Sequence, residues 1–193
     1  MSDKLLVSGF DRFGHFKRAN SSSEIALPAI KEKYGDLVET IVLPTAHNVA
    51  AAKLLQAIRD ISPAAVVMFG LSSQNKISLE QQARNRRFSL LVPDNNGVRT
   101  FGQIDPQGAS HYPSTLPLDD LYSKLEAANV PVKMSADAGT FVCNEVMYKA
   151  LQHTQGQEIP TGFIHFGKGL SDQLVAEAAI LVVDELAGQL LQP

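Results

Sequence analysis

Three short apolar runs, each meeting a glycine at its end and separated by helix-length segments, restrict this chain to few folds. They are KLLVS before Gly9 (4–8), AAVVMF before Gly70 (64–69) and TGFIHF before Gly167 (161–166). A run of this length with almost no polar residue reads as a strand buried on both faces. A fourth strand at 37–43 stops at Pro44, and a fifth spans 130–135. Helical spacing predicts helices ending at Tyr34, over 48–60, 118–129 and 143–153, and a long one over 171–191. The last carries Leu174, Val175, Ala178, Leu181, Val182 and Leu186 on one stripe. In the first, Asn20 and Ser21 to Ser23 offer caps, and Pro28 falls in the opening turns, where a missing N–H is tolerated.

Residues 76–82 and 88–92 read as further extended or edge segments, and Pro93 to Gly97 as a turn cluster. The stretch 95–117 has no periodicity. Segments of that length are commonly functional loops or interface arms, so Tyr112 and Pro113 are candidate subunit contacts. Strands alternating with helices predict one three-layer α/β/α domain over 1–193, with a twisted, largely parallel (mixed) sheet. Ligands of such sheets sit outside the carboxyl ends of the strands, here Gly9-Phe10, Gly70-Leu71 and His165-Phe166.

Several function classes are excluded. The chain has 17 Lys and Arg against 20 Asp and Glu and no tryptophan, so it lacks the basic surface that nucleic acid requires. No apolar run approaches the ~18 residues of a membrane span, and the N-terminal residues do not form a secretory signal. The expectation is a soluble, cytoplasmic protein. One cysteine in 193 residues permits neither an internal disulfide nor a cysteine-rich zinc site, and no metal spacing occurs elsewhere. Gly9 to Gly14 lacks the lysine and hydroxyl of a P-loop, and no dinucleotide fingerprint follows the first strand. No cofactor is called for.

That cysteine, Cys143, sits where an irregular segment becomes a helix, with Thr140 as the expected N-cap. In a first helical turn, unpaired N–H groups and the helix dipole favour a thiolate. The competing reading is a small buried hydrophobe. A nucleophile needs a base and an orienter. His165 ends a buried strand, a rigid position that suits a base and a satisfied core histidine equally well. His15 borders a loop with three phenylalanines and is placed to touch a ligand. His47 and His111 lie in turn-rich surroundings, and His153 suits a helix C-terminus. Glu80, flanked by apolar residues, is the candidate orienter, with Asp94 and Asp137 as competitors and an ion pair to Arg84 as the alternative role.

SGFDRFG (8–14), ISLE (77–80), PDNNG (93–97), AGTFVCNEVMY (138–148) and GFIHF (162–166) together resemble the pyroglutamyl peptidase I family of cysteine peptidases. The resemblance runs nearly the whole chain, and the segment around Cys143 is its most specific part. It implies a fold similar to nucleoside phosphorylases and removal of N-terminal pyroglutamyl residues from peptides. Cys143 is then the nucleophile, His165 the base and Glu80 the orienter, in a cytosolic dimer or tetramer. Phe10, Phe13, Phe141 and Val142 would form the pocket for the pyrrolidone ring, with Asn20 beside it.

The departures from the pattern are Leu71 for glutamine, Leu91 for arginine, His15 for a glycine, Ser21 for a proline and Gly167-Lys168-Gly169 for a proline. The lost arginine bears most on the oxyanion, with Arg84, Arg86 or Arg87 as substitutes. These departures leave two alternatives open. One is a cysteine hydrolase of another small N-acyl or cyclic amide; the other is a catalytically silent binding or assembly protein.

Overall fold

The computed structural model describes residues 4–14 and 22–190. Residues His15, Asn20 and Ser21, to which the sequence assigned roles, lie outside them. Strand β1 (Leu5–Phe10) is buried throughout. A short π-helical turn, Ser22–Ala26, leads into α1 (Leu27–Tyr34), with Pro28 in its first turn. Then come β2 (Val38–Leu43), α2 (Val49–Ile61) and β3 (Ala65–Ser72). Helix α2 turns Ala50, Ala51, Leu54 and Ile58 inward at helical spacing and ends in a left-handed Ser62.

Next follow β4 (Ile77–Glu80), β5 (Gln82–Arg84), β6 (Arg87–Phe88), β7 (Phe101–Gly102) and β8 (His111–Pro113). The chain finishes with α3 (Leu118–Ala127), β9 (Val132–Ser135), α4 (Val142–Thr154), β10 (Thr161–Gly167) and α5 (Asp172–Leu190).

Six strands make one sheet in the order β2-β1-β3-β10-β4-β9. The first four run parallel, β4 is antiparallel to β10, and β9 is parallel to β4. Helices α1, α3 and α5 bury their apolar faces on one side with Val7, Phe69, Leu79 and Ile164, while α2 and α4 pack on the other with Leu6, Phe10, Met68 and Phe163. This is the layered, largely parallel mixed sheet expected from the alternation of elements.

Three features differ from the sequence reading. Residues 77–80 are an interior strand with all four side chains buried, not an edge segment. Gly9 and Gly70 do not end their strands, because β1 runs on to Phe10 and β3 to Ser72, whereas Gly167 does end β10. Gly9 and Gly70 mark close approach instead. A Cβ on Gly9 would lie 2.6 Å from the Ser22 carbonyl oxygen, and one on Gly70 would lie 2.7 Å from the Phe163 ring and 3.1 Å from His165. The aperiodic 95–117 stretch folds back on the rest of the chain. β7 pairs with β6, β8 pairs with β5, and Tyr112 is buried against Tyr148 at 4.9 Å between ring centres. Tyr112 is therefore a core residue and not a subunit contact.

Candidate active site

A left-handed turn at Gly139 (φ 84°), pinned by Asp137 Oδ1 accepting the Gly139 N–H at 3.0 Å, aims the chain into α4. Phe141, not Thr140, is the N-cap, and no side chain caps the helix. Thr140 is occupied elsewhere, its carbonyl accepting the Phe88 N–H at 2.8 Å. The first-turn N–H groups of α4 thus have no side-chain partner, and an anion beside them is favoured. Cys143 is the second residue of this turn and is half-buried.

His165 on β10 lies buried beneath it. Its Nδ1 is 2.8 Å from Glu80 Oε1, and the ring lines the same cavity as Cys143. Register explains the meeting. Phe163 pairs with Glu80 and His165 with Ser78, so all four side chains share one face of the sheet, and Glu80 sits two positions along from His165 on the next strand. Burial pulls the imidazolium down. The neighbouring Cys143 and the hydrogen bond to Glu80, with the attraction of both, outweigh it and push the His165 pKa up to about 9. Glu80 is 2% exposed, and its Oε2 has no hydrogen-bond partner among the described residues.

The competing orienters are engaged elsewhere. Asp137 pairs with Arg84 at 3.1 Å, which also removes the alternative Glu80–Arg84 ion pair. Asp94 accepts three backbone N–H groups, from His47, Asn96 and Val98.

A cavity of about 410 Å³ opens over Cys143 and His165. Phe10, Phe13, Thr45, Leu71 and Phe141 wall one end, with Phe13 and Phe141 rings 5.2 Å apart. Ser78, Lys133, Ser135 and Asp137 line the other. Val142, expected on the apolar wall, is fully buried in the core instead. None of the arginines proposed as substitutes lines the cavity. Arg84 is held by Asp137, Arg87 by Asn48 and Glu145, and Arg86 is exposed. Among the described residues, no group of His, Cys, Asp and Glu could hold a metal ion, and no helix is long and apolar enough to cross a membrane.

The sequence reading missed a second buried His–carboxylate pair. His47 Nδ1 lies 2.6 Å from Glu145 Oε2, both side chains are sealed from solvent, and Glu145 Oε1 accepts the Asn48 N–H at 2.6 Å. The His47 ring stands edge-on to Phe141 at 5.3 Å, so the pair braces the aromatic wall and ties the first turns of α2 and α4 together. Asn144 does the same for β5, accepting the Arg84 N–H and donating to the carbonyls of Arg84 and Arg86. A usable signal was present: two polar residues inside a helix otherwise read as apolar need buried partners.

Burial alone would raise the Glu145 carboxyl, but His47, the Asn48 N–H and Arg87 hold it below the usual carboxylate range. Its stabilisation is present above the unfolded carboxylate pKa and is lost as pH falls through the lower folded value. Glu145→Ala is expected to cost about 2–3 kcal/mol in urea unfolding near neutral pH, because the buried His47 ring and the Asn48 N–H then lose their partner.

Comparison with known proteins settles the family. The family model described as pyroglutamyl peptidase matches residues 3–181. The chain belongs to the pyroglutamyl peptidase family. A pyrrolidone-carboxylate peptidase of Thermoanaerobacter sp. (strain X514) is 35% identical over 167 residues, covering 84% of this chain and 81% of the relative. The pyrrolidone-carboxylate peptidase of Pyrococcus furiosus is also 35% identical, over 84% of this chain and 79% of its own. Among solved structures, a pyrrolidone carboxyl peptidase from P. furiosus superposes with a TM-score of 0.86 at 28% identity, covering 97% of this chain and 99% of the other. The pyroglutamyl peptidase I of Bacillus amyloliquefaciens gives 0.85 at 26%, covering 96% and 97%.

Two departures from the pyroglutamyl peptidase pattern now have places. Leu71 lies on the cavity wall, whereas Leu91 is 81% exposed and does not line the cavity.

Proposed function

We propose that Cys143, His165 and Glu80 act as a triad that removes N-terminal pyroglutamyl residues from peptides through a thioester acyl-enzyme. The observation that carries this reading is His165, held between Cys143 and Glu80 at the floor of a cavity with aromatic walls. A pyrrolidone ring is flat and uncharged, so Phe10, Phe13 and Phe141 suit it better than charged groups would.

The Cys143 thiolate attacks the acyl carbonyl carbon, and the oxyanion that forms faces the uncapped N–H groups of α4. His165, protonated, gives its proton to the amine nitrogen as the C–N bond breaks and the shortened peptide leaves. Neutral His165 then takes a proton from water as the water oxygen attacks the thioester. The second tetrahedral intermediate expels the Cys143 thiolate and releases pyroglutamic acid, and the thiolate–imidazolium pair is restored. Glu80 fixes the ring orientation and stabilises its charged form.

Hydrolysis of pyroglutamyl, acetyl, prolyl and glutamyl p-nitroanilides tests the acyl group. Turnover confined to the pyroglutamyl substrate is expected; turnover of another member alone overturns the reading. Leu71 on the wall favours a second reading, a hydrolase for a different small cyclic or N-acyl amide, and the same panel decides between them. A cytoplasmic dimer or tetramer fits the proposal. A reducing compartment keeps the lone thiol free, and association of copies would cover the exposed apolar arm of Leu91, Val92 and Phe101.

A further inference from the structure

Gly70, His165, Ser78 and Lys133 are paired in register across four adjacent strands, so they share the sheet face that carries the site. Strands lie ~4.8 Å apart, which places the Lys133 backbone on the order of 10 Å from that of His165, on the β9 side. Phe10 lies the other way, on β1, two strands from β10. A substrate whose ring occupies the aromatic end must therefore run its leaving residue toward Lys133.

The charges at that end are unequal. Glu80 is committed to His165 and Asp137 to Arg84. Lys133 is half-buried, is the one Lys or Arg among the described residues lining the cavity, and enters no ion pair or side-chain hydrogen bond among them. β9 is an edge strand, where a lysine commonly serves only to discourage strand pairing. Here the side chain lines the cavity instead. Its four-carbon stem covers over half of the gap to His165, and one extended residue, ~3.5 Å, covers the remainder.

We infer that Lys133 recognises a carboxylate on the first residue of the departing peptide, which makes this protein selective for pyroglutamyl peptides with negative charge next to the scissile bond. The inference rests on the proposed pyroglutamyl activity. The carboxylate has two possible sources: the free α-carboxylate of a dipeptide, or an acidic side chain.

The test is kcat/KM for pyroglutamyl-alanine, pyroglutamyl-alanine amide and pyroglutamyl-glutamic acid α-amide, with the wild type, Lys133→Gln and Lys133→Arg. The wild type is expected to favour at least one carboxylate substrate over the neutral amide by on the order of five- to tenfold, mainly through KM. That ratio should shrink as salt is raised, fall to about one in Lys133→Gln and return in Lys133→Arg. Preference for the dipeptide acid assigns the α-carboxylate, and preference for the glutamyl amide assigns the side chain. A wild-type ratio near one, or a ratio unchanged in Lys133→Gln, overturns the inference while the pyroglutamyl activity stands. Cleavage of none of the three overturns both.

Discussion

Replacing Cys143 with alanine is expected to lower kcat/KM on a pyroglutamyl amide by at least ~10⁴-fold, because the bond that carries the acyl group can no longer form. The remaining machinery, the uncapped α4 N–H groups and the aromatic wall, would still bind substrate. Stability should change little, by about 1 kcal/mol or less, since the side chain is half-buried and Ala is a better helix former than Cys. Turnover and a urea titration on the same preparation separate loss of chemistry from loss of fold. The variant should also lower the His165 pKa, because Cys143 is one of the two groups that hold it up.

Glu80→Gln is expected to cost on the order of 10³-fold in kcat/KM. A glutamine can still touch Nδ1, but it cannot balance an imidazolium, and it can present its amide N–H instead of an acceptor. In the wild type the His165 pKa is about 9 against an ordinary 6.5. A raised pKa contributes stability that is fully present below pH ~6.5 and is lost as pH rises through about 9. The alkaline limb of kcat/KM follows the same group, since the leaving amine needs the proton on His165, and should fall near pH 9. In Glu80→Gln that limb should move to lower pH. A variant whose limb stays in place would show that Glu80 does not set the protonation of His165.

The sequence carried the alternation of elements and the strand-end site well, for a physical reason. Burial on one or both faces writes itself into local periodicity, and the helix expected over 143–153 from its apolar spacing spans Val142–Thr154. What it could not carry are contacts between distant residues. Glu80 and His165 are 85 positions apart and meet through an antiparallel register that no local pattern encodes. Apolar flanks made Glu80 the candidate, and the resemblance to a family then favoured it over Asp94 and Asp137. His47 and Glu145, 98 positions apart, had no such help, and His47 read as a loop residue although it is sealed in the core.

Thr140 and the two glycines were misread for a related reason. A threonine before a helix fits a cap, but here backbone pairing to Phe88 claims it. A glycine after an apolar run fits a turn, but Gly9 and Gly70 are glycine because Ser22, Phe163 and His165 come too close for a side chain.

The most direct measurement is the mass of the peptide containing Cys143 after acid quench during turnover of a pyroglutamyl p-nitrophenyl ester, whose fast acylation lets the intermediate accumulate. The triad predicts one pyroglutamyl group held as a thioester on Cys143, discharged on standing at neutral pH and absent from Cys143→Ala. An acyl group on another residue, or sustained turnover of a pyroglutamyl amide by Cys143→Ala, would contradict it.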